Sequence, residues 1–200
     1  WEEEDPFIDD FGSAKKMADE ETFRKINGSP RSIHYLLKTT EDGIDDSQIS
    51  ELPPAIMLNG RLGLVPGRLT INSFENAISR RWSDVYQGDP LAIRTITRIR
   101  TIAEAYAQRD GYDFVLMDTS PSLGALNKVI ISTVDGFIVP CLPDMFSMYG
   151  IRNIGSSLKQ WKQEFDTIYK LISNSKRERF PNEFVQFLGY TIYNAKKYQK

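Results

Sequence analysis

Two hundred residues with a 40% apolar share, eleven Phe, nine Tyr and three Trp suffice for one core-forming domain with an appendage. The formal net charge of −2 lacks the basic excess of a typical nucleic-acid binder. One cysteine, Cys141, excludes an internal disulfide and a cysteine-only metal site, and the lone histidine, His34, speaks against metal chemistry. No apolar run reaches the ~18 residues that a membrane span needs, and no signal peptide opens the chain, so a cytoplasmic protein is expected.

Residues 1–55 read as an acidic, helix-leaning arm or insertion; Trp1–Thr22 alone carries nine acids against Lys15 and Lys16. "DEETFRKI" and "SPRSIHYLLKTT" are its best helices, the second with Ser29 as N-cap and Pro30 in the first turn. "DFG" at Asp10–Gly12 has the letters of a kinase loop without the companion motifs, and is set aside.

From residue 56 to 200 the pattern is that of an α/β core. "RLGLVPG" reads as a short strand closed by Pro66 and Gly67. A helix follows from Asp89 and Pro90, with Leu91, Ile96, Ile99, Ala103 and Tyr106 at helical spacing, and Gly111 ends it. "YDFVLMD" is a continuous apolar run of the kind buried on both faces of a parallel sheet. "SLGALNKVIISTV" is the next helix and "DGFIVPCLP" the next strand. A long helix then places Met148, Ile151, Ile154, Leu158, Trp161 and Phe165 on one stripe, and "VQFLGYTIYN" closes as a strand. Strands and helices in alternation with short loops predict a doubly wound, mostly parallel sheet flanked by helices.

In such sheets ligands bind beyond the carboxyl ends of the strands. Asp118 ends the apolar run at that position, where an unpaired carboxylate is costly to bury. One reading gives it a hydrated Mg²⁺, which keeps waters and takes few carboxylates. Pro121 stiffens the following loop, and Gly124 leaves room at a helix start whose free N–H groups favour anions. The other reading makes Asp118 an ordinary cap of the next turn, with Thr119 and Ser120 as turn residues. Residues alone leave both open.

The stretch "YDFVLMDTSPSLGALNKVIISTVDGFIVPCLPDMFSMYGIRNI" resembles the middle of a ParA/MinD-type (deviant Walker) P-loop ATPase. The resemblance rests on Tyr112-Asp113, the apolar run, Asp118-Thr119-Ser120-Pro121, Pro140 and Pro143-Asp144 in that order and spacing. It is close over roughly 105–160 and fades in the acidic arm. It implies a P-loop NTPase-like fold with ATP and Mg²⁺ as cofactors. Asp118 would be the catalytic acid that holds Mg²⁺ through water, and Thr119 and Pro121 would belong to a loop sensing the γ-phosphate. Pro143 and Asp144 would border the base or sugar, and Asn194 would read the adenine. As partners it implies a homodimer, a ParB-like activating protein and DNA bound without sequence preference, toward which Lys196, Lys197 and Lys200 could contribute.

The family's glycine-lysine phosphate loop, G-x-x-x-x-G-K-[ST], has no counterpart in these residues; "KINGSPRS" has one glycine, Gly28, and no Gly-Lys-Ser/Thr. The expectation is therefore an excerpt of a longer ATPase, incomplete at both ends and inactive alone. The alternative is a degenerate, nucleotide-independent interaction module on the same fold. A third reading, a P-loop amide synthetase or a reductase iron protein, lacks substrate residues in the first case and cluster cysteines in the second. Elsewhere the bland readings prevail. Arg80, Arg81 and Trp82 suggest a surface turn, Arg94 and Arg98 a solvated helix face, and Lys176, Arg177 and Arg179 an exposed loop. Cys141 reads as a small buried hydrophobe and His34 as structural.

Overall fold

A computed structural model describes residues 32–44, 52–120, 122–181 and 183–193. Helix "DEETFRKI", Ser29, Pro30, Pro121 and Asn194 lie outside the described residues, as does most of the acidic arm. The chain divides into two compact units, residues 1–72 and 73–200.

In the first unit, helix α1 (Ile33–Glu41) has Ser32 at its N-cap and buries Leu36, Leu37 and Thr40. The Ile33 amide donates to the Pro66 carbonyl at 2.9 Å. Strands β1 (Ile56–Asn59) and β2 (Leu62–Leu64) form an antiparallel hairpin. Gly60 and Arg61 form the turn, and the Asn59 side chain accepts from the Arg61 amide at 2.9 Å. The expected strand at "RLGLVPG" is thus present, with a sequence-adjacent partner. A 3-10 turn at Leu69–Ile71 follows.

The second unit is the α/β body. Helix α2 (Asn72–Val85) buries Phe74, Ala77, Ile78 and Val85. It replaces the surface turn expected around Arg80–Trp82. The apolar positions recur at helical spacing, and Arg81 is spent on a hydrogen bond of 3.0 Å to the Thr95 hydroxyl. Helix α3 (Pro90–Asp110) is built as its sequence dictates. The Asp89 carboxylate accepts from the Ala92 amide at 2.7 Å, Pro90 opens the first turn, and Gly111 ends the helix at φ 71°. α3 is buried almost all round from Ala92 to Ile99, so Arg98 is enclosed rather than solvated, at 6% exposure. Helix α4 (Ala125–Thr133) follows.

Strands β3 (Gly136–Cys141) and β4 (Gln186–Ile192) pair in parallel, joined through the long helix α5 (Met145–Leu171) and the short helix α6 (Asn174–Arg177). This β–α–β crossover is the unit from which doubly wound sheets are made. The register shifts between Phe137 and Ile138, which leaves Leu188 as the extra residue of β4. Leu188 packs over Gly136, where any Cβ would meet its branch at 2.7 Å, and Gly189 takes the positive φ, 139°, that continues the strand. The stripe expected on α5 is buried at its far end, through Trp161, Phe165 and Ile168, while Met148 at its start stays exposed. Lys176 and Arg177 hold structure instead of lining a free loop: Lys176 donates to the Gly88 carbonyl and Arg177 to the Tyr169 carbonyl.

One expected strand differs. Residues 114–120 enter no ladder among the described residues, and Phe114 and Leu116 are 85% and 92% exposed. An apolar run sets a strand's backbone preference; a ladder also needs a neighbouring strand with free N–H and C=O groups.

Candidate functional site

Two features lie at the carboxyl ends of these segments. The first is the loop from Asp118 to Gly124. Asp118 is exposed, and among the described residues no hydrogen bond or ion pair engages its carboxylate. It is not turned inward against an arginine. Thr119 beside it is half-buried and Ser120 exposed.

The loop is fastened from two sides. Asn127, in the first turn of α4 and only 2% exposed, donates from Nδ2 to the carbonyls of Ser120 and Ser122 at 2.6 and 2.7 Å. The two serine hydroxyls lie 3.1 and 3.2 Å from the same nitrogen and 3.0 Å from each other. The second fastening is Glu75 of α2. Gly124 is the N-cap of α4 and has no side chain to cap with. Glu75 Oε1 does that work from 51 residues away, accepting from the Leu126 amide at 3.2 Å. A Cβ on Gly124 would collide with that oxygen, so the small residue makes room for an internal carboxylate. The anion that this helix start attracts is, in this structure, the chain's own.

The second feature is a cavity of about 370 Å³ at the carboxyl end of β3 and β4, lined by Cys141, Leu142, Pro143, Asp144, Ser147 and Tyr190 with neighbouring apolar residues of α5 and β4. Pro143 and Asp144 are therefore brought to one wall. The Asp144 carboxylate caps α5, accepting from the Ser147 amide at 2.7 Å, and Ser147 Oγ accepts from the Leu142 amide at 3.1 Å. Cys141 is part of the wall rather than of the core, with its thiol donating to the Thr191 carbonyl at 3.3 Å. Asp118 and Thr119 do not line this cavity.

Among the described residues no group of three or more His, Cys, Asp or Glu side chains is placed to hold a metal ion. A metal held by a protein cage does not fit. A magnesium ion that keeps most of its waters does, because it asks for one open carboxylate, and Asp118 offers one. Glu75 and Asn127 were not found from sequence. Asn127 carries a readable signal, an amide in the first turn of a helix that also holds Ala125, Leu126, Val129, Ile130 and Ile131; Glu75 carries none, since its partner is remote in the chain.

Comparison with known proteins agrees with this architecture. Residues 88–171 match the family model of an AAA domain. The chain is 29% identical over 80 residues to a ParA family protein of Mycoplasma pneumoniae, covering 38% of this chain and 30% of that protein. It is 27% identical over 127 residues to the ParA family protein MG470 of Mycoplasma genitalium, covering 62% and 42%. Among solved structures, protein DIP2308 from Corynebacterium diphtheriae superposes with a TM-score of 0.72 at 23% identity, over 86% of this chain and 65% of that one. The matches span 30% to 42% of the length of these curated relatives. Fold and family model together define a P-loop NTPase-like α/β protein. Within that class, the chain is similar in sequence to ParA family proteins. No described helix is long and apolar enough to cross a membrane.

Proposed function

We propose that the chain is part of a ParA-like ATPase that uses ATP-dependent dimerisation to partition or position DNA or other cargo in the cytoplasm. The observation that carries the reading is the open, unpaired carboxylate of Asp118 at the head of a loop fastened by Asn127 and Glu75. Asp118 would hold the water shell of Mg²⁺, and Thr119, Ser120, Pro121 and Ser122 would face the terminal phosphate. A Mg²⁺ bound there neutralises phosphate charge, the main requirement of phosphoryl transfer. The cavity bordered by Pro143 and Asp144 has the volume for a nucleoside, and Asn194 is the base-reading residue that the family resemblance implies. In such an ATPase the lysines of a glycine-rich loop would neutralise the remaining phosphate charge. Hydrolysis would then act as a timer on the dimer, set by a ParB-like partner.

One observation favours the alternative, a nucleotide-independent module. The Leu126 amide is already satisfied by Glu75, which leaves the start of α4 one donor fewer for an anion. Sedimentation of the full-length protein separates the two. A shift from monomer to dimer on adding ATP and Mg²⁺, absent with ADP, supports the ATPase; an unchanged mass with every nucleotide supports the module.

A further inference from the structure

Glu75 serves two helix starts at once. It stands in the first turn of α2, and its Oε1 accepts from the Leu126 amide in the first turn of α4 at 3.2 Å. Both helix starts carry partial positive charge, and both are offset by this one carboxylate. Among the described residues no lysine or arginine pairs with it. A neutral Ser, Thr or Asn at the N-cap would satisfy such an amide locally. Gly124 holds that position instead, and the amide is served by a charged side chain 51 residues away. Gly124 also keeps the place open: a Cβ there would stand 2.2 Å from Glu75 Oε1 and 3.6 Å from the Ser122 hydroxyl. The Ser122 hydroxyl lies 3.0 Å from that of Ser120, two residues after Asp118. Short contacts therefore lead from the Glu75 carboxylate toward the open carboxylate of Asp118, which also lacks a cation partner among the described residues.

We propose that Glu75 is a charge filter: it discriminates against metal-free polyphosphate at Asp118 in favour of the magnesium-bound form. The proposal rests on the ATPase reading for its ligand. The start of α4 is not itself a ligand site here, because Glu75 occupies it; the carboxylate acts through space on what approaches Asp118. Its repulsion grows with the charge of the ligand, and Mg²⁺ removes about half the charge of a nucleoside triphosphate. Metal-free ligand therefore meets the larger barrier.

The test titrates full-length wild type and Glu75→Gln with a non-hydrolysable ATP analogue at low salt, once with Mg²⁺ and once with a chelator. Glu75→Gln keeps an oxygen that can accept from the Leu126 amide and removes only the charge. The expected result is a gain of about tenfold in affinity for the metal-free analogue, and of about threefold or less for the magnesium-bound one. Both gains should vanish near 1 M salt, where charges are screened beyond about 3 Å; a purely structural effect would not respond to salt in this way. Glu75→Ala removes the same charge and decides the matter on the same terms if Glu75→Gln does not fold. No gain without Mg²⁺ in a folded variant overturns the proposal, and so does an equal change with and without the metal. Wild type that binds no nucleotide with Mg²⁺ sinks the ATPase reading instead, while the metal-free comparison of the two proteins is still read on its own.

Discussion

The Lys128 ammonium of α4 lies 3.6 Å from the ring centroid of Trp82 on α2 and pairs with the Glu164 carboxylate of α5. Trp82 in turn meets Phe165 edge-on, centroids 6.0 Å apart. Three helices thus converge on one cation, enclosed so that Lys128 and Glu164 keep 15% and 20% of their side-chain exposure. Removing one partner strands the other in a poorly solvated place. Glu164→Gln is expected to cost about 1–3 kcal/mol in urea unfolding, and Lys128→Met less, since it deletes the cation and keeps the packing. The double variant should fall short of the sum of the two losses.

Gly124 and Glu75 are coupled. Gly124→Ala displaces a flexible carboxylate rather than backbone, so its cost is the lost cap, about 1 kcal/mol. Once Glu75→Ala has removed the cap, Gly124→Ala should be nearly neutral. Strict additivity in thermal unfolding would contradict the contact.

Tyr86 gives a pH signature. Burial first, and the Glu164 charge second, raise its phenol above the ordinary 10.0. The folded state therefore holds the proton more tightly than the unfolded chain. That contribution is complete below pH 10.0 and is lost as pH rises through the folded value. Melting curves of wild type and Tyr86→Phe at intervals from pH 8 to 11 should run parallel up to about 10, after which the variant gains relative to wild type. A constant gap across the range would contradict the assignment.

What sequence could deliver followed from how local each determinant is. Asp89, Pro90 and Gly111 bound α3 because caps act within a turn of the residues that carry them. β3, α5 and β4 were legible from apolar pattern and prolines. α2 was missed because its four buried residues are spread among charges, and the β1–β2 hairpin because the Gly60-Arg61 turn was passed over. "YDFVLMD" shows the opposite limit: its composition specifies a strand, but whether a ladder forms depends on neighbours that composition does not name. The site divided the same way. Asp118 and the proline-bounded wall of Pro143 and Asp144 were visible as motif, whereas the Glu75 cap exists only through tertiary contact.

The central claim is that Asp118 anchors a magnesium ion beside a nucleotide. It is tested most directly by titrating full-length wild type and Asp118→Ala with an ATP analogue, with and without Mg²⁺. The account predicts that Mg²⁺ strengthens binding to wild type by at least about tenfold, as expected for a charge-assisted contact, and that Asp118→Ala abolishes this gain while remaining folded. An equal magnesium-dependent gain in the variant would contradict it.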